Sequence, residues 1–185
     1  MKRPDWIWEW LPEQGTGSER FVHETIPAGH LLRGEIAAIL DGVPIEARYL
    51  VEADAGWATR AVRIEIAQPR RVLEIRSNGT GRWSDAQGIW IPALDGCIDV
   101  DTSLTPATNT LPIRRLGANP GAGMEIAVAY VLAPELTLRA RPQRYIRLAD
   151  RLWRFAGQDI DFTTDITVDE HGFAIDYPGL FRRAG

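Results

Sequence analysis

Cysteine, lysine and histidine are all scarce in this chain of 185 residues, which has one cysteine, one lysine and three histidines. The single thiol of Cys97 has no partner for an internal disulfide, and burial is the usual fate of a free cysteine. His23, His30 and His171 lack the spacing of a zinc site. No glycine-rich nucleotide motif is present. We therefore expect no metal and no cofactor.

Long hydrophobic runs are also missing, because no apolar segment approaches the roughly 18 residues of a membrane span. The first residues lack the apolar core and small-residue cleavage site of a signal peptide. The net charge of −4 and the pI near 5.4 argue against a nucleic-acid binder, which is normally basic. We expect a soluble, cytoplasmic protein with no membrane span and no nucleic-acid partner. The length predicts a single domain, residues 1–185.

Alternation of apolar and polar residues is the dominant pattern of the chain. Trp6, Trp8 and Trp10 alternate, so a strand would place the three indoles on one face. Residues 43–54 and 59–68 alternate as well, and Asp41-Gly42 is a two-residue hairpin signal. These features predict a mainly β chain with roughly a dozen short antiparallel strands. A sheet of that size must curl to close its edges.

One stretch, Gly96–Leu116 (GCIDVDTSLTPATNTLPIRRL), breaks this pattern. Thr105 followed by Pro106 is a good helix start, since threonine caps a helix and proline is tolerated at its first position. Pro112 should limit the helix, so we predict a short helix over 106–111. If the sheet curls around it, each polar group needs a partner or water. The helix is then either a structural plug or the polar lining of a cavity.

Three acids, Asp95, Asp99 and Asp101, precede the predicted helix and allow three interpretations. Their oxygens could bind Ca²⁺ or Mg²⁺, but the spacing fits no EF-hand loop. They could instead stabilise turns and the start of the helix. Asp99 and Asp101 share strand parity, so they could also act as the carboxylate pair of a glycosidase.

The arginines near this stretch have two interpretations. They could recognise an anionic head group through bidentate hydrogen bonds, or could lie on exposed strand surface or pair with Asp99 and Asp101 as structural ion pairs. The arginines concerned are Arg114, Arg115, Arg139, Arg141, Arg144 and Arg147. Arg139 and Arg141 share a face if a strand extends that far. We expect Pro142 to interrupt that segment.

The central stretch, together with EIAVAYVLAPEL, RPQRYIRL, GFAIDYPGLFRR and the upstream residues Asp54, Trp57 and Thr59, resembles the bacterial glycolipid-binding family. The resemblance covers nearly the whole chain. It implies a spiral β-roll, in which a many-stranded antiparallel sheet curls around a single short central helix. It also implies a homodimer and a likeness to lipoprotein carriers. It brings no catalytic residues.

The leading hypothesis is a non-catalytic binder or carrier of an amphipathic small molecule such as a glycolipid. One alternative is a hydrolase that acts on a glycosyl or acyl bond through Asp99 and Asp101. Another is a structural or interaction protein without a ligand pocket. For the leading hypothesis, the predicted ligand-binding residues are Trp57, Asp99, Asp101, Thr108, Asn109, Arg114 and Arg115.

Overall fold

The computed structural model describes residues 6–12, 15–117 and 119–184, which form fourteen strands and one α-helix. The strands are β1 (Trp6–Trp10), β2 (Thr16–Ile26), β3 (Gly29–Leu40), β4 (Val43–Asp54), β5 (Thr59–Ile66), β6 (Arg71–Ser77), β7 (Trp83–Asp85), β8 (Asp99–Thr102), β9 (Gly123–Leu132), β10 (Thr137–Ala149), β11 (Leu152–Gly157), β12 (Phe162–Val168), β13 (Ala174–Tyr177) and β14 (Phe181–Arg183). Helix α1 (Thr110–Leu116) follows directly on a 3₁₀ turn, Pro106–Asn109.

All fourteen strands belong to one sheet, in the order β7-β6-β5-β4-β3-β2-β1-β14-β13-β12-β11-β10-β9-β8. Strands that follow each other in the chain pair as antiparallel neighbours, except at two places: β7 and β8 lie at opposite edges of the sheet, and β8 pairs with β9 in parallel. In addition, β1 pairs with β14 in the middle of the sheet. The chain between β7 and β8, which carries residues 92–94 as a 3₁₀ turn, connects the two edges of the sheet.

The sheet rolls over itself, so that its two ends meet. Strand β8 is the last in the sheet order and β5 is the third from the opposite end, yet the Val100 amide of β8 donates to the Thr59 hydroxyl of β5 at 3.0 Å. The Trp83 indole of β7 donates to the Cys97 carbonyl at 2.6 Å, just before β8. The predicted fold, a many-stranded sheet curled around one short helix, is confirmed.

Alternation along the strands separates the core from the outer face. In β1, Trp8 is fully buried and Trp10 nearly so, whereas Ile7 between the indoles is 47% exposed. Trp8 packs against Phe21 of the neighbouring strand with ring centroids 4.7 Å apart. The predicted stripe of tryptophans therefore faces the inside of the roll. Cys97 is also fully buried, as expected for a lone cysteine.

Two predictions made from prolines are wrong. Helix α1 continues through Pro112 to Leu116, because Pro112 is only the third residue of the helix, where an N–H has no intrahelical acceptor. Strand β10 continues through Pro142 to Ala149. Pro142 lies just before the pairing with β11, which begins at Gln143, so its missing N–H leaves that ladder intact.

Candidate ligand-binding site

The helix inside the roll is fixed at both ends by local hydrogen bonding. Thr105 is extended and its hydroxyl accepts from the Ala107 amide at 3.1 Å, which caps the 3₁₀ turn. At the other end, Gly117 adopts the left-handed conformation that commonly terminates helices. The turn and the first residues of α1, 106–113, are all buried. Their polar side chains therefore need partners inside the protein.

On the side of β2 and β4, this need is met by a tightly packed cluster. The Tyr49 hydroxyl donates to Glu19 Oε1 at 2.5 Å, and its oxygen lies 3.1 Å from the Thr105 hydroxyl. Glu19 is fully buried, and its Oε2 has no hydrogen-bond partner among the described residues. Burial raises the pKa of this carboxyl to about 8, although the hydrogen bonds from Tyr49 and Thr105 act in the opposite direction. Glu19 is therefore largely protonated at neutral pH.

Asp99 is also buried, and it forms an ion pair with the helix. Arg115 donates from Nε to Asp99 Oδ1 at 3.0 Å and from Nη2 to Oδ2 at 2.6 Å. Burial raises the pKa of the Asp99 carboxyl even though Arg115 acts to lower it. The pair connects the last turn of α1 to β8 and leaves both carboxylate oxygens engaged.

Asp101, two residues further along β8, is held by three donors. Its Oδ1 accepts from the Thr108 hydroxyl and from the Thr102 amide, both at 2.8 Å. Its Oδ2 accepts from Gln143 Nε2 at 2.5 Å. Burial raises the pKa of this carboxyl as well, against the effect of these hydrogen bonds. Thr108 is thus a structural partner of Asp101 inside the roll.

Beside Asp101 the roll contains a partly open cavity of about 220 Å³, between β8–β10 and β11–β14. Its polar lining includes Asp101, Thr105, Asn109 and Arg141. The remainder is mainly aromatic and aliphatic, and comprises Tyr130, Phe155, Ile160, Phe162, Tyr177, Leu180 and Phe181 together with Thr102 and Ser103. A concave space that combines an apolar lining with a few convergent polar groups is typical of a ligand site.

Two buried residues bring unused hydrogen-bonding atoms to this cavity. Asn109 is 4% exposed; its amide nitrogen donates to the Tyr145 hydroxyl at 2.8 Å, while its Oδ1 accepts no hydrogen bond from the described residues. Tyr177 is 5% exposed, and its hydroxyl has no hydrogen-bond partner in the described part of the chain. These two atoms are therefore available to a ligand.

Arg141 supplies the positive charge of the cavity lining. Its Nε donates to Asp159 at 2.9 Å, and its guanidinium lies over the Tyr130 ring, 4.5 Å from the centroid. Burial raises the pKa of the Tyr130 hydroxyl, with Asp101 adding to this effect and Arg141 opposing it. Arg141 is thus neutralised by Asp159 while it faces Asp101 and Tyr130.

The structure brings only some of the predicted ligand residues together. Asp101 and Asn109 line the cavity, and Thr108 lies directly behind Asp101. The remaining four, Asp99, Arg115, Arg114 and Trp57, lie elsewhere. The Arg114 guanidinium is 5.5 Å from the Trp57 ring centroid, and Trp57 stacks on His30 at 3.8 Å, in a separate aromatic cluster.

The arrangement of Asp99 and Asp101 is not the one that the hydrolase hypothesis predicts. That hypothesis needs two carboxylates facing one open cleft. Asp99 is engaged by Arg115 and does not line the cavity, while Asp101 is held by Thr108, Gln143 and the Thr102 amide. Among the described residues, no group of three or more His, Cys, Asp or Glu side chains could hold a metal ion.

Several lining residues were not singled out from the sequence. Four of them are aromatic residues of β11–β14, strands that lie far from the central stretch in the sequence: Phe155, Phe162, Tyr177 and Phe181. Arg141 was considered only as one of a series of arginines that could recognise an anionic head group or have a structural role, and was not among the predicted ligand-binding residues. The available signal was the high density of aromatic residues at inward positions of the last four strands, which the sequence pattern alone could not distinguish from ordinary core.

A sheet of fourteen strands rolled around one short helix, with a partly open cavity beside that helix, defines a β-roll protein with a candidate small-molecule site. The chain belongs to the family described as "Putative glycolipid-binding", whose model matches residues 7–183. The family resemblance noted in the sequence is thus confirmed.

One solved structure is closely similar to this chain. It is the crystal structure of a DUF1089 family protein from Pseudomonas aeruginosa, which is 33% identical in sequence and superposes with a TM-score of 0.83. The match covers 100% of this chain and 95% of that protein. No curated protein matches the chain. In the described residues, none of the helices is long and apolar enough to cross a membrane.

Proposed function

We propose that this protein is a non-catalytic binding or carrier protein for a small amphipathic molecule whose uncharged polar head enters the cavity, such as the sugar of a glycolipid. The observation that carries the proposal is that two largely buried residues, Asn109 and Tyr177, line a cavity with aromatic walls, where Asn109 Oδ1 and the Tyr177 hydroxyl have no hydrogen bond to the described residues. The description of the family supports the same class of ligand.

The lining favours a head group that is rich in hydroxyls. Asn109 Oδ1 can accept from a hydroxyl, and the Tyr177 hydroxyl can donate or accept. The rings of Phe155 and Phe162, with centroids 6.1 Å apart, supply flat apolar surface for the C–H face of a sugar. An anionic head is disfavoured because Arg141 is already paired with Asp159 and Asp101 faces the same space.

The size of the cavity limits how much of the ligand it can enclose. A volume of about 220 Å³ lies below the roughly 300–1,000 Å³ of sites that hold a whole drug-sized molecule. The cavity therefore fits a single ring, and an acyl or alkyl tail would leave it past the exposed side chain of Ile160. The tail would then lie on the apolar rim of the roll.

The test is calorimetric titration with octyl β-D-glucoside below its micelle concentration. We expect saturable binding that Tyr177→Phe weakens by about 10-fold, because one buried hydrogen bond is lost. Tyr49→Phe is the matched control: it also removes a buried tyrosine hydroxyl, but Tyr49 does not line the cavity and reaches it only through its contact with Thr105, so the affinity should change by less than about 2-fold. Octyl sulfate should bind more weakly than the glucoside.

Absence of saturable glucoside binding, or equal affinities in the parent and Tyr177→Phe, would contradict the proposal. The proposal also includes a single domain that acts in the cytoplasm as a homodimer. One continuous sheet and a lone buried cysteine are compatible with it. Native mass spectrometry of freshly purified protein would give the subunit count and detect a co-purified lipid together.

A further inference from the structure

The rim of the cavity is formed by the turn between β11 and β12, residues 158–161. Ile160 in this turn is 44% exposed, whereas the other described residues that line the cavity are buried or half-buried. A β-carbon added at Gly157 would lie 2.6 Å from Ile160 Cγ1. The missing side chain at Gly157 therefore lets Ile160 pack down against its own strand at the rim of the cavity.

The ion pairs that connect the turn to β10 are all made by one residue, Asp159. Its carboxylate pairs with Arg141 at 2.9 Å and with Arg139 at 3.2 Å, both on β10. At the base of the turn, the Gln158 amide donates to the Pro142 carbonyl at 3.0 Å. The tip of the turn thus depends on two ion pairs, one of which is largely exposed on the Arg139 side.

Arg141 takes part in both the fastening and the site. Its Nε holds Asp159, while its guanidinium covers Tyr130 and faces the cavity. Arg141 therefore connects the turn directly to the lining of the cavity.

We propose that the β11–β12 turn is the gate of the cavity, with Ile160 as its cover and the ion pairs of Asp159 with Arg139 and Arg141 as its latch. This inference rests on the proposed function for its biological meaning, since a gate matters only if the cavity receives a ligand. The opening step itself is a property of the free protein and can be measured without any ligand.

The experiment measures how often the cavity opens, by thiol labelling. Cys97 is replaced by serine, and Thr102, a small buried residue that lines the cavity, is replaced by cysteine. A small uncharged methanethiosulfonate then reports access to the cavity. In this background Asp159→Asn removes the latch and Ile160→Ala removes the cover. Asp165→Asn is the matched control, because it breaks an exposed pair with Arg154 on the same two strands.

We expect Asp159→Asn to raise the labelling rate by about 5-fold and Ile160→Ala at least as much, with less than about 2-fold for Asp165→Asn. Raising the salt to about 1 M should accelerate the Asp159 protein towards the Asp159→Asn rate, because salt screens exposed ion pairs. Urea midpoints of the variants should match, which separates gate opening from global unfolding.

Equal labelling rates in the parent, Asp159→Asn and Asp165→Asn would overturn the gate, even if octyl glucoside binds. If labelling responds as expected while the glucoside does not bind, the gate stands and the proposed ligand class is wrong. If both hold, Asp159→Asn should speed association and dissociation of the glucoside together, with a much smaller change in the dissociation constant.

Discussion

The polar groups on the two sides of the central helix are buried to a similar degree but are arranged differently. Towards β2 and β4, Tyr49 and Thr105 fill the space around Glu19. Towards β9–β14, Asn109 and Tyr177 face a cavity of about 220 Å³ and each keeps an unused hydrogen-bonding atom. In the first arrangement the unpaired atom, Glu19 Oε2, is sealed from solvent, whereas the second has space for a ligand.

The difference arises from small changes in side-chain size. On the filled side, Gly34 of β3 leaves room for the Tyr49 ring and for Glu19. A β-carbon added at Gly34 would collide with Tyr49 Cε1 and would lie 2.5 Å from Glu19 Oε1. On the other side, the rings of Phe155, Phe162 and Tyr177 stand with centroids 6.1–6.3 Å apart and leave space between them and the helix. A buried polar residue therefore indicates a ligand-binding site only where a cavity lies next to it.

The largest expected effect belongs to the filled side and concerns pH. The folded protein keeps a proton on Glu19 up to about pH 8, whereas the unfolded chain releases it near pH 4.5. Because the folded state binds more protons in this window, its stability is full below about pH 4.5 and falls as the pH rises to about 8. The loss amounts to about 5 kcal/mol in the free energy of unfolding.

Urea unfolding at pH 5, 7 and 9 measures this loss. We expect Glu19→Gln to flatten the pH dependence between 5 and 8, because the amide cannot ionise. Glu125→Gln, at an exposed position on β9, should retain the parent's slope. A parent protein whose stability is constant over this range would show that Glu19 titrates normally.

A second, smaller effect is expected at the Asp99–Arg115 pair, which is another filled polar contact. Arg115→Met leaves the fully buried Asp99 carboxylate without its partner and should cost about 3 kcal/mol of unfolding free energy. The double variant with Asp99→Asn should recover part of this loss. Arg154→Met, which breaks an exposed pair with Asp165, should cost less than about 1 kcal/mol in the same urea titration.

The smallest expected effect on the unfolding free energy compares the two sides of the helix directly, because the same change, tyrosine to phenylalanine, is made on each side. Tyr49→Phe leaves Glu19 and Thr105 without their shared hydroxyl and should lower the unfolding free energy by about 2 kcal/mol. Tyr177→Phe removes a hydroxyl that has no described partner, so its cost should be below about 0.5 kcal/mol. Equal costs would mean that the two sides do not differ in the way described.

The sequence predicted the organisation of the fold better than the site. Alternation, the tryptophan stripe and the Thr105-Pro106 start were sufficient for a curled sheet with one short helix. The end of the helix was misplaced, because the effect of Pro112 depends on whether it falls in the first turn. The reach of β10 was underestimated for a similar reason, since the cost of Pro142 depends on which neighbour it faces.

The candidate site was only partly predictable from the sequence, because the pairing of distant strands brings its lining residues together. Asp101 and Asn109 were expected as ligand residues from the composition of the central stretch, and both line the cavity. Tyr177 and Arg141 reach the same space through the pairing of β10–β14, which no local pattern specifies. The predicted grouping with Trp57 and Arg114 did not anticipate that α1 directs Arg114 away from the cavity.

The pairing of β1 with β14 has a consequence for synthesis of the protein. Trp8 of β1 pairs with Arg183 of β14, so β1 acquires its second neighbour only after the 175 residues that separate them in sequence have been translated (183 − 8 = 175). At about 5–20 residues per second, this delay is roughly ten to thirty seconds. During that time the tryptophan strand presents an open edge on the ribosome-bound chain, and only the arrival of the last strand closes the middle of the sheet.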